Sequence, residues 1–148
     1  MRSIWILALL FAVSPIVLAQ TKAKISAKVT ASSLEARLIA KEKQKFDAIK
    51  NGEWLSLKDM FAEDYLSIGY RPDGTVKINT KAQSFSGEFN LPPGIEFTLS
   101  DFKVISINKE SAIITYVATG PIKVQATSVW AKRVKVWKTI FYQATMIK

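Results

Sequence analysis

The sequence predicts an α+β domain in which one antiparallel sheet carries its helices on a single face. Apolar residues recur about every four positions from Leu34 to Ile49, then about every two from Tyr65 onward. The closing third is built of long runs rich in Val, Ile, Thr and aromatics, the composition of strands rather than helices. At 148 residues, 49% hydrophobic and 22% charged, the chain has one domain's length and the composition of a folded protein.

Residues 1–19 read as a secretory signal peptide. Arg2 gives a positive start, Ile4 to Val13 is an unbroken apolar run, and Val17 and Ala19 suit cleavage after Ala19. The span is interrupted by Pro15 and falls short of the ~20 residues needed to cross a bilayer, so no membrane span is expected after cleavage. Export to a periplasm or beyond is the expectation. Residues 20–31 are polar and Lys-rich and read as a flexible leader.

The domain proper runs from 32 to 148. Ser32 and Glu35 have capping-box spacing, Leu34, Leu38, Ile39, Phe46 and Ile49 share one helical side, and Asn51-Gly52 supplies the stop. Trp54 to Phe61 reads as a second, shorter helix. Tyr65–Tyr70 and Thr75–Ile78 flank the Arg71-Pro72-Asp73-Gly74 turn and predict a hairpin. Asn79 or Thr80 can cap a short helix through Phe85, after which Ser86–Gly94, with two Gly and two Pro, is a loop. Extended runs then cover Ile95–Ile107, Ala112–Thr119, Val124–Lys132 and Val136–Ile147.

Composition excludes much chemistry. With no Cys and no His, there is no disulfide, no thiolate nucleophile, no imidazole acid or base and no ordinary zinc ligand set. The carboxylates show no Asp-x-Asp spacing, so no metal and no cofactor is expected. The balance of 21 Lys+Arg against 12 Asp+Glu is basic, but the charges are scattered and lack the aromatic interleaving of an RNA reader. Lys41, Lys43, Lys45 and Lys50 read as a solvated helix face, and no nucleic-acid partner is expected.

The element order resembles the nuclear-transport-factor-2-like superfamily, and its SnoaL-like branch in particular. The residues carrying that resemblance are Glu42, Ala48 and Gly52-Glu53 in and after the first helix, Phe61-Ala62-Glu63-Asp64-Tyr65, and Asp73-Gly74. Near the C-terminus they are Val129-Trp130-Ala131-Lys132-Arg133, Trp137-Lys138 and Tyr142-Gln143-Ala144-Thr145. The resemblance implies a cone-shaped curved antiparallel sheet wrapped around a long N-terminal helix and two short helices, with a pocket inside. Relatives use that pocket for isomerisation, cyclisation, hydrolysis, dehydration or binding alone, so fold does not choose function. Those that rely on an Asp–His pair find no counterpart in a chain without His.

Glu42 is the leading catalytic candidate, because it falls within the apolar stripe of Leu38, Phe46 and Ile49. A carboxylate there is either a proton-transfer group or a structural charge paired with Arg133, a Lys or a strand hydroxyl. Asp101 lies mid-strand and, pointed inward, would make a carboxylate pair with Glu42. Tyr65, Tyr70, Tyr116, Trp130, Tyr142 and Gln143 are candidates to line the pocket. Three readings stand at this point: an exported module that binds a small apolar ligand as a homodimer through sheet packing, an isomerase or cyclase using a carboxylate base, and a structural envelope protein.

Overall fold

A computed structural model describes residues 34–70, 74–86 and 92–147. The signal peptide, the leader, the Ser32 cap and the centre of the Arg71–Asp73 turn lie outside the described residues. The domain opens with helix α1 over residues 34–51, stopped by Gly52 in left-handed backbone at φ +72°. The stop is also packed. Gly94 donates its amide to the Lys50 carbonyl at 2.8 Å, and Pro93 lies against Gly52, so the long loop caps the end of the helix.

A short 3-10 helix, Trp54–Met60, replaces the predicted second helix and ends where β1 (Phe61–Tyr70) begins, four residues earlier than expected. Then come β2 (Val76–Thr80), α2 (Lys81–Ser84), β3 (Thr98–Asn108), β4 (Ser111–Thr119), β5 (Lys123–Arg133) and β6 (Val136–Met146). Helix α2 starts as the sequence says: the Thr80 hydroxyl accepts from the Gln83 amide while the Gln83 side chain accepts from the Thr80 amide.

The six strands form one sheet in the order β2-β1-β6-β5-β4-β3. Every neighbour pair is antiparallel except β1 with β6, which is parallel, so the sheet is mixed. The parallel pair departs from the wholly antiparallel sheet expected, for a topological reason. Most of the domain lies between these two strands in sequence, which gives ample chain for the crossover a parallel pair needs. Curvature without closure into a barrel gives the α+β cone.

Register breaks produce that curvature. They fall between Ser100 and Lys103 on β3, at Ile140 on β6 opposite Val129 and Trp130, and between Phe61 and Leu66 on β1. Alternation along β4 and β5 is clean: Ala112, Ile114, Tyr116 and Ala118, then Val124, Ala126, Ser128 and Trp130, all face the concave side and are buried. Leu38 of α1 packs on them with Trp137, and a second cluster joins Ala48, Leu57, Phe61 and Tyr65.

The β5–β6 hairpin turns on Val134 and Lys135, both left-handed, at φ 50° and 66°. Two positive φ values suit a type I′ turn, but that turn favours Asn-Gly, and a β-branched residue resists it. Val134 is 96% exposed and contributes no packing that would offset the strain. Replacing the pair by Asn-Gly is therefore expected to raise stability by about 1–2 kcal/mol, read as a higher urea midpoint at unchanged slope; a lower midpoint would show that the turn is not the strained element described.

Candidate functional site

The centre of the domain is an ion pair between neighbours on one helix. Glu42 and Lys45 are three residues apart and both face the sheet, Glu42 fully buried and Lys45 nearly so. Lys45 Nζ donates to both carboxylate oxygens of Glu42, at 3.0 and 3.2 Å. Two strand residues complete the carboxylate's shell. Trp130 Nε1 of β5 donates to Oε1 at 2.6 Å, and the Tyr116 hydroxyl of β4 donates to Oε2 at 3.0 Å. Around the buried ammonium lie the rings of Trp130, at 4.6 Å, and Phe61, at 5.3 Å, which add cation–π attraction.

This arrangement answers the alternatives left open for Glu42. Its partners are a lysine, a strand hydroxyl and an indole; Arg133 pairs instead with Asp64 at the surface, at 2.7 Å. Both carboxylate oxygens are engaged. Lys45, read from sequence as part of a solvated face, is buried. The signal was present in the spacing, since Lys45 follows Glu42 by three and adjoins Phe46 on the apolar side. Burial holds its ammonium below the ordinary lysine range, against the pull of Glu42 in the other direction.

Beside the pair is a cavity of about 330 Å³, at the lower end of the range of small-molecule sites. Lys45 reaches its wall; Glu42 does not. Phe46, Trp54, Phe61 and Phe97 supply aromatic walls, and Tyr65, Tyr116 and Tyr142 supply rings with polar tips. Sheet register explains the floor. Ser128, Tyr142, Ser67 and Asn79 lie on successive strands β5, β6, β1 and β2 as direct partners, which puts their side chains on the concave face. Gly69, two residues beyond Ser67, also faces inward, and a Cβ added there would meet nothing within 4 Å. The missing side chain leaves part of the cavity open.

The predicted site residues are thus divided. Tyr65, Tyr116 and Tyr142 come together on the cavity. Trp130 is buried behind it on Glu42. Tyr70 ends β1 half-exposed, and Gln143 follows Tyr142 in the strand and so points to the convex side, where its amide donates to the Thr145 hydroxyl. Asp101 does not join Glu42. It occupies the β3 bulge in left-handed backbone, φ 55°, exposed, with the Ser100 hydroxyl donating to it at 2.9 Å. A short polar side chain tolerates that conformation, which explains an Asp at this point of the strand. Among the described residues no three carboxylates converge as a metal site would require.

No family model matches the chain, and no curated protein matches it either. Solved structures do. An NTF2-like protein from Cytophaga hutchinsonii superposes with TM-score 0.62 at 22% identity, over 76% of this chain and 97% of its own. The fold is NTF2-like. A protein of unknown function from Silicibacter pomeroyi gives TM-score 0.66 at 13% identity, over 79% of this chain and 98% of its own. A candidate ketosteroid isomerase from Parabacteroides distasonis gives 0.59 at 19% identity, over 75% and 86% respectively. At these identities the likeness concerns the fold alone.

The three cavity phenols are held protonated. Burial is the main cause for Tyr65, Tyr116 and Tyr142, and the Glu42 carboxylate adds to it in each case. Each raised value contributes stability that is whole below about pH 10 and is lost as pH rises past the ordinary tyrosine range. Native protein titrated above pH 10 should accordingly show no phenolate absorbance at 295 nm from these three, which should appear together on unfolding in denaturant. Ionisation of all four tyrosines near pH 10 in folded protein would contradict the buried cluster.

Proposed function

We propose that the protein is a binding module for a small, largely apolar molecule, held in the cavity between α1 and the concave sheet. The observation that carries this reading is an aromatic-walled space of about 330 Å³ whose inward-facing Gly69 adds no side chain to fill it. A core under pressure only to pack would place a larger residue there. Binding is favoured over proton transfer because Glu42, the carboxylate an isomerase or cyclase would need, lies behind the wall with both oxygens occupied.

Two further parts of the proposal rest on other observations. The grammar of residues 1–19 supports export to a periplasm or the exterior. A homodimer through the convex sheet face is supported by one cross-strand row in which Ile105, Ile113, Val129, Phe141 and Leu66 are direct partners on five strands, with Ile105 56% and Leu66 43% exposed.

Gly69→Phe tests the binding reading. The new ring enters open space on a strand with no positive φ to preserve, so folding should be unaffected or improved by up to about 1 kcal/mol. Binding of a neutral naphthalene-type probe, measured by calorimetry, should fall at least tenfold. Unchanged affinity in a folded variant would place any binding elsewhere.

A further inference from the structure

From the electrostatics of the cavity wall we infer that the site selects a neutral molecule that presents one hydrogen-bond acceptor, such as a carbonyl oxygen, on an apolar body. The inference rests on the binding reading above and adds to it the charge and functional group of the ligand, with Lys45 as the residue that sets both.

Lys45 is the charged side chain among the described residues lining the cavity, and a lone buried ammonium would favour an anion. This one is already compensated. Glu42 takes hydrogen bonds from it on both oxygens, and the pair together carries no net charge. A carboxylate or sulfonate entering the cavity would lose its hydration and meet Glu42 just behind the ammonium, with no uncompensated cation to offset the loss.

An acceptor without charge meets a different situation. The ammonium has three N–H donors, and the hydrogen bonds it makes among the described residues all go to Glu42. The third has only the faces of the Trp130 and Phe61 rings beside it, and Phe61 lines the cavity, so a carbonyl oxygen placed there would be a stronger acceptor than either ring. The phenol nearest the pair is differently committed: Tyr116 donates its proton to Glu42, so its hydroxyl is not a free donor to a ligand. A second spare polar group is Ser84, whose buried hydroxyl lines the cavity and has no hydrogen-bond partner among the described residues. Neither spare group adds net charge. Ser67, Asn79 and the hydroxyls of Tyr65 and Tyr142 add only uncharged polar groups, and the remainder of the wall is aromatic and aliphatic, which suits a flat hydrocarbon body.

Three probes that share one ring system test this on the full folded protein by calorimetry at pH 7: naphthalene, 2-acetylnaphthalene and 2-naphthoate. The expected order is the ketone tightest, about tenfold above naphthalene for the added hydrogen bond to a charged donor, and the naphthoate at least tenfold weaker than the ketone. Lys45→Met removes the donor and should bring the ketone level with naphthalene, and a ketone advantage kept in the folded variant overturns the inference. If that variant does not fold, the order on the natural protein still decides. A naphthoate that binds as tightly as the ketone, or a ketone no tighter than naphthalene, overturns the inference while leaving the binding reading in place. Failure of all three probes to bind overturns both.

Discussion

One buried charge constrains the rest of this structure. Glu42 sits at the centre of α1 where the helix meets the sheet, and an isolated carboxylate there would cost far more than any single apolar contact returns. The chain meets that cost with Lys45 one turn along the same helix, Tyr116 from β4 and Trp130 from β5. Satisfying Glu42 therefore fixes the rotation of α1 about its axis and its position along the sheet. Aromatic placement follows from it: Trp130 and Phe61 face the ammonium, and Phe46 sets its ring edge-on to Tyr116, with centroids 5.9 Å apart.

The cavity is a consequence of the same geometry. Bulges on β1, β3 and β6 bend the sheet away from the helix, and side chains close the gap at one end, where Trp130, Tyr116 and Ala112 are fully buried. At the other end β1 offers Ser67 and Gly69, too small to reach across. Lys45 stands at the boundary between the packed end and the open end. That position turns a structural ion pair into part of a binding wall, and it explains why the carboxylate, though central, is not the group a ligand would touch.

Much of the fold was legible in sequence because its signals are local. The change of period after Phe61, the Thr80 cap, the Gly52 stop and the alternation in β4 and β5 each follow from a few neighbouring residues. What escaped was non-local or nearly degenerate. The early start of β1 at Phe61 depends on pairing with Thr139 of β6, a partner far along the chain, and the parallel sense of that pair has no sequence signature. Asp101 was ambiguous because its orientation depends on a bulge that shifts register by an unpredictable residue. Gln143 is ambiguous for the same reason, since a one-residue difference in a strand exchanges faces. For the site, the place of Glu42 in the apolar stripe marks it, while Lys45, a lysine among lysines on a helix, reads as solvated, although its spacing from Glu42 and Phe46 puts it on the inner face.

The claim that the Glu42–Lys45 pair organises the domain is tested most directly by a double-mutant cycle on stability, with Glu42→Gln, Lys45→Met and the double variant compared by urea unfolding. Each single change strands one buried partner and should cost about 3–5 kcal/mol. The double variant should cost less than the two together by about 2–3 kcal/mol, the coupling of groups in direct contact. Additive effects, or single changes that each cost under about 1 kcal/mol, would contradict a structure built around this pair.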